Sequence, residues 1–174
     1  MKDLITALLN YSRTNTSGIT FTPTDLNTVL EDVRNTLKEL IDDTRTVIEI
    51  SPLPTLNIIP HQFNQLFLNI VSNAIKYRKP GIDPLIHISA EIIPVKEIPI
   101  ETTFMNDTCW KIDFTDNGLG FEQQYSDRIF ELFQRLYGKS EYEGAGIGLS
   151  ICKKIVQNHQ GLIMAFGQIG RAHV

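Results

Sequence analysis

The stretch PHQFNQLFLNIVSNAIKY, residues 60–77, has the spacing of a helix with two separate faces. At about 100° per residue, Phe63, Leu66, Phe67, Ile70, Val71 and Ala74 share one stripe. Asn69, Asn73 and Lys76 share a narrower stripe centred roughly 120° away. Pro60 suits a first helical turn, where its missing N–H is not needed, and Lys79-Pro80-Gly81 stops the helix. One edge of a core helix therefore presents two amides and an ammonium. Amide oxygens are hard ligands that suit Mg²⁺, and a lysine suits a phosphate. Taken alone, the stripe reads better as the solvated side of a core helix.

Three further clusters lie downstream. Asp116-Asn117-Gly118-Leu119-Gly120-Phe121 directly follows a predicted strand. Its glycines let the backbone turn sharply and approach a ligand, and a strand-end carboxylate can accept from an exocyclic amine. An ordinary Asp-Asn-Gly turn has the same residues. Gly144-Ala145-Gly146-Ile147-Gly148 opens a helix, where free amides and the helix dipole favour an anion. A dinucleotide fingerprint is excluded, because the segment before Gly144 is a polar loop and not a strand. A P-loop is excluded, because Phe133 stands where the motif ending Gly138-Lys139-Ser140 requires glycine. Between these clusters, Phe130 and Phe133 are spaced to pin a loop from one helical turn, or simply to pack.

The remaining chain supplies a scaffold. Leu4, Ile5, Leu8, Leu9 and Tyr11 form an apolar helical stripe ending near Asn15-Thr16-Ser17-Gly18. Phe21-Thr22-Pro23 reads as a linker. Thr24 or Asp25 caps a helix with core face Leu26, Val29, Leu30, Val33, Leu37, Leu40 and Ile41. Strands are predicted at 46–50, 85–93, 109–115 and 162–166, and a last helix over 147–159. This irregular interleaving predicts an α/β sandwich with a mixed sheet, not a doubly wound parallel one. The length of 174 residues suits one domain plus a short extension. A net charge of −4 argues against a nucleic-acid or anionic-membrane surface. Cys109 and Cys152 are too few for a disulfide scaffold and read as reduced, buried thiols of a cytosolic protein. No run approaches the roughly 18 apolar residues of a membrane span, and no signal peptide is expected, though a longer parent chain could hold an anchor.

The order Asn69-x-x-x-Asn73-Ala74-x-Lys76-Tyr77, Asp116-x-Gly118-x-Gly120-Phe121, Phe130-x-x-Phe133-x-Arg135 and Gly144-x-Gly146-x-Gly148-Leu149 resembles the N, G1, F and G2 boxes of sensor histidine kinases. The resemblance covers roughly residues 1 to 168. Leu8-Leu9-Asn10-Tyr11-Ser12-Arg13 is similar to the end of a second dimerisation helix. The resemblance implies a two-layer sandwich of a mixed sheet and three helices, shared with gyrase, Hsp90 and MutL. It divides the chain into a helix stump (1–17), an ATP-binding domain (18–168) and a non-native tail (169–174), the last resembling a translated sequencing adapter. It implies ATP and Mg²⁺ as cofactors. Asn73 would ligate the metal and Asn69 would assist, directly or through water. Lys76 would touch phosphate oxygens, and Tyr77 would pack near adenine or ribose. Asp116 would accept from the adenine amine, beside Gly118 and Gly120. Phe130 and Phe133 would anchor a lid, Arg135 could reach the γ-phosphate, and Gly144, Gly146, Gly148 and Leu149 would form the hinge and helix start.

Hydrolytic relatives carry a glutamate base four residues before the second asparagine. Asn69 stands there, and an amide is no base at neutral pH, so the resemblance favours phosphoryl transfer to a protein histidine over hydrolysis. None of the four histidines fits the acceptor pattern, so the acceptor belongs to dimerisation helices outside this chain. A response regulator downstream, a homodimeric parent and a cytoplasmic location are implied. The alternatives are a non-catalytic ATP-binding regulatory module, or an anti-sigma-type serine kinase. Against the latter stands the helix stump. After the strand ending at Phe166 the family adds one more strand, which is expected to be missing here.

Overall fold

The computed structural model describes residues 20–99, 104, 106–134, 146–167 and, as backbone, 171–173. The helix stump expected over 1–17 lies outside the described residues. A strand β1 (Thr22–Asp25) pairs antiparallel with β3 (Thr55–Ile58), from Thr22 opposite Ile58 to Asp25 opposite Thr55. The linker expected at Phe21-Thr22-Pro23 is thus partly strand. Four residues are too few to show a period, and the partner lies far along the chain.

Asp25 caps α1 (Leu26–Thr36), its Oδ1 accepting from the Asn27 amide at 2.8 Å, a bond worth about 1 kcal/mol. The helix expected to run on to Ile41 breaks at Leu37, and α2 (Lys38–Thr44) continues separately. Asn35 and Thr36 are weak helix formers. Thr36 Oγ1 also donates to the Asp32 carbonyl at 2.8 Å, a back-bond that bends helices. As a result Leu40 is exposed where the uninterrupted stripe placed it in the core.

The main sheet holds β2 (Val47–Ile50), β4 (Leu85–Pro94), β5 (Thr108–Asp116), β6 (Met164–Phe166) and β7 (Arg171–His173) in the order β2-β4-β5-β7-β6. Only β2 and β4 are parallel, so the sheet is mixed as expected. Residues 171–173 were expected to leave the sheet one strand short. They instead form β7 between β5 and β6, with Phe114 opposite Ala172 and Ala165 opposite Ala172.

Helix α3 (Pro60–Lys76) and helix α4 (Gly148–Asn158) lie with α1 on one face of this sheet. Leu30, Val33, Leu66, Phe67, Val71, Ile75, Ile151 and Ile155 meet Ile86, Ile88, Ile112 and Phe114. Phe67 stands edge-on to Phe114, ring centroids 5.1 Å apart. Burial of each such side chain stabilises by about 1.5–3 kcal/mol. Cys152 is buried in this core, whereas Cys109 is only half-buried. Among the described residues, no helix is long and apolar enough to cross a membrane.

Candidate functional site

Asn69 and Asn73 stand one turn apart on α3, and the start of α4 packs across them. Asn69 Nδ2 donates to the Gly148 carbonyl at 3.3 Å. A Cβ on Gly148 would lie 3.8 Å from Asn69 Oδ1 and 3.9 Å from Asn73 Nδ2. Glycine therefore keeps a methyl-sized space open beside both amides. Among the described residues no side-chain bond caps α4 at Ile147, and a helix start of this kind favours an anion. Beneath Asn69 lies Cys152, whose thiol is pushed up to about 12 by complete burial, partly offset by a bond from the Asn69 side chain.

The second cluster is reached along the same helix. Asn69 to Tyr77 spans about 12 Å of α3. The Tyr77 amide donates to the Asn73 carbonyl at 2.9 Å. The Tyr77 carbonyl in turn accepts from Leu119 N–H at 2.9 Å, latching the glycine turn to the helix end. Gly118 N–H donates to Asp116 Oδ1 at 2.8 Å. A Cβ on Gly118 would stand 2.7 Å from that oxygen and 2.8 Å from the Tyr77 carbonyl oxygen, so only glycine fits. Gly120 adopts φ 68°. Burial raises the Asp116 pKa above the ordinary carboxylate value, while the Gly118 amide and the Lys79 charge pull it back. Lys76 Nζ lies 5.0 Å from the centroid of the Tyr77 ring, a cation–π contact.

Asn117, quoted in the motif but given no role from the sequence, clips the turn to β4. Its Oδ1 accepts from Leu85 N–H at 2.9 Å and its Nδ2 donates to the Asp83 carbonyl at 3.1 Å. Lys79 comes within electrostatic reach of Asp116 only after the chain folds back, so no local pattern marks it.

The helical turn expected to carry Phe130 and Phe133 does not form. A short 3-10 turn ends at Phe130, Glu131 is extended, and Phe133 adopts φ 64°. Phe130 is buried, but Phe133 is 49% exposed. Phe133 is held by its backbone, its N–H donating to the Gly146 carbonyl at 2.9 Å, with Gly146 at φ 69°. Leu149 packs against the core. Arg135 and Gly144 lie outside the described residues. The structure thus brings Asn69, Asn73 and Gly148 together, and Tyr77, Asp116 and Gly118 together, at one end of α3. Among the described residues, no cluster of three or more His, Cys, Asp or Glu could hold a metal. A cation here would take amide oxygens and the oxygens of its ligand, and the open space at Gly148 fits that demand.

The family profile for histidine kinase-, DNA gyrase B-, and HSP90-like ATPases matches residues 59–171. The chain is 39% identical over 170 residues to Cyanobacterial phytochrome A of Nostoc sp., covering 98% of this chain and 20% of that protein. It is 31% identical over 167 residues to signal transduction histidine-protein kinase ArlS of Staphylococcus haemolyticus, covering 94% of this chain and 34% of the relative. The chain thus spans about a third or less of these curated relatives. Full-length ShkA in complex with AMPPNP shares the fold, with a TM-score of 0.70, 21% identity, and coverage of 98% of this chain and 33% of that one.

Proposed function

We propose, for a chain that belongs to the histidine kinase-, DNA gyrase B-, and HSP90-like ATPase family as the catalytic domain of a sensor histidine kinase, that it positions Mg²⁺-ATP and delivers the γ-phosphoryl group to a histidine on dimerisation helices. The observation that supports this reading is the space beside Gly148, where two amides of α3 face the start of α4.

The phosphates would lie at that space, with the amides of α4 and its dipole toward them. Asn73 and Asn69 would hold Mg²⁺ through their amide oxygens, Asn69 keeping its Nδ2 bond to the Gly148 carbonyl. Bound there, the ion neutralises developing charge on the phosphate oxygens. Lys76 would leave the Tyr77 ring to meet a phosphate, and Tyr77 would then be bared toward the base or ribose. Asp116 would accept from the adenine N6 amine. Guanine has an acceptor at the same place, so two acceptors would oppose each other. Arg135 and Gly144 complete this reading from the sequence alone, with Phe133, Gly146 and Leu149 framing the loop between. No described side chain beside the phosphate space is a general base, since Asn69 is an amide. Transfer therefore rests on positioning and charge neutralisation. Residues 1–17 would continue a dimerisation helix, a response regulator would take the phosphoryl group onward, and the parent would act as a cytoplasmic homodimeric kinase.

The experiment is isothermal titration with ATP and GTP, with and without Mg²⁺, on the chain and on Asp116→Asn and Asn73→Ala. A bond to a charged group is worth about 1.5–3 kcal/mol, so each variant is expected to lose roughly ten- to hundredfold in affinity for Mg²⁺-ATP. Unchanged affinity in both would reject the site. Labelled γ-phosphate appearing on an added histidine-bearing helical bundle tests the transfer itself.

A further inference from the structure

Strand β6 is the outermost strand of the main sheet, with β7 on its inner side. Its outer edge would present bare backbone groups, which proteins normally cover. The cover here is a side chain. Gln123 Nε2 donates to the Ala165 carbonyl at 3.4 Å, and Gly167 N–H donates to Gln123 Oε1 at 2.9 Å. One amide thereby bonds a carbonyl of β6 and the N–H of the residue just beyond the strand. Phe121 N–H adds a third bond, to the Gly167 carbonyl at 3.2 Å.

The closeness of this seam is set by Gly167, which is buried. A Cβ there would collide with the Phe121 carbonyl oxygen and stand 3.2 Å from the Gln123 nitrogen. Both are backbone atoms, so no rotamer change relieves the contact. The glycine turn after Asp116 is therefore tied twice within three residues. Leu119 is bound to the Tyr77 carbonyl on the helix side, and Phe121 to the Gly167 carbonyl on the sheet-edge side.

We infer that Gln123 and Gly167 are positioning residues for the base end of the nucleotide site: their seam holds the Gly118–Phe121 turn in place against the edge of β6. This rests on the nucleotide reading above. Gln123 acts on that site through the turn. Loss of the seam should weaken the base end and leave the metal end unaltered.

The test is ADP affinity, measured with and without Mg²⁺, for the chain, Gln123→Ala and Gln123→Glu, together with amide hydrogen exchange of Leu119 and Phe121 in the ligand-free protein. Gln123→Ala is expected to weaken ADP roughly tenfold under both conditions, so that the ratio between them stays constant. Exchange at Phe121 should quicken. Gln123→Glu keeps the acceptor for Gly167 N–H and should recover part of the affinity. ADP affinity of Gln123→Ala within twofold of the unsubstituted chain, with only a lower melting temperature, would reduce the seam to an edge cover and overturn the inference. A changed Mg²⁺ ratio would overturn it as well. If the unsubstituted chain bound no ADP, the nucleotide reading would fall first and this inference with it.

Discussion

Asn69 Nδ2 donates to the carbonyl of Gly148 at 3.3 Å, joining two residues 79 positions apart. That bond bridges the polar edge of α3 and the start of α4. It also turns the Asn69 amide toward the space that the missing Gly148 side chain leaves. The arrangement separates the requirements of folding from those of binding, because the space is needed only by a ligand.

Gly148→Ala tests that separation. The added methyl would meet Asn69 and Asn73 only at ordinary contact distances of 3.8 and 3.9 Å, and alanine favours helix over glycine by up to about 1 kcal/mol. The variant should melt no lower than the parent chain. It should nonetheless bind Mg²⁺-nucleotide at least about tenfold more weakly, since the methyl takes the place of the ligand. Calorimetric melting beside titration checks both signs.

Gly118→Ala should behave in the opposite way. Its Cβ would press on Asp116 Oδ1 at 2.7 Å and on the Tyr77 carbonyl oxygen at 2.8 Å. Overpacking of this kind costs about 1–3 kcal/mol, so the urea midpoint should fall along with nucleotide affinity. A variant as stable as the parent would show that the turn is looser than its contacts indicate.

His159 gives the fold a pH dependence of known sign. Ile59 N–H donates to its Nε2 at 3.0 Å, so that nitrogen must be bare. Nδ1 lies 2.7 Å from the Ile155 carbonyl, so it must carry the proton. Burial lowers the pKa from 6.5, the Ile155 bond raises it in part, and His61 lowers it further. Below 6.5 the unfolded chain takes up a proton that the folded one resists, so stability falls as pH drops through that value towards the folded pKa. Denaturant midpoints between neutral and mildly acid pH should show this fall for the parent and a shallower one for His159→Gln. Parallel curves would refute the assignment.

Thiol chemistry should distinguish the two cysteines. Cys152 is fully buried, with its thiol pushed up to about 12, and the thiolate is the reactive form. Cys109 is half-buried on β5, its pKa raised more modestly by burial. Mass spectrometry of the native protein after alkylation should find Cys109 modified slowly and Cys152 untouched until denaturant is added. Rapid native labelling of Cys152 would contradict the packing of α4 on α3.

The sequence by itself determined the elements whose pattern is local. Helix α3, with its apolar stripe and polar edge, follows from side-chain spacing alone. Asp116 at a strand end, the glycine turn and the glycine-opened helix α4 were legible for the same reason. Each depends on backbone freedom and periodicity within a few residues. What tertiary structure decided is everything whose partner is remote. β1 exists because Thr55–Ile58 lies beside it. β7 is placed inside the sheet, between β5 and β6. Gln123 meets Gly167 across 44 positions and His159 meets Ile59 across 100. A hydrogen bond gains little unless both groups are already held in place. Such contacts leave no period in the chain and appear only once the packed core has brought their ends together.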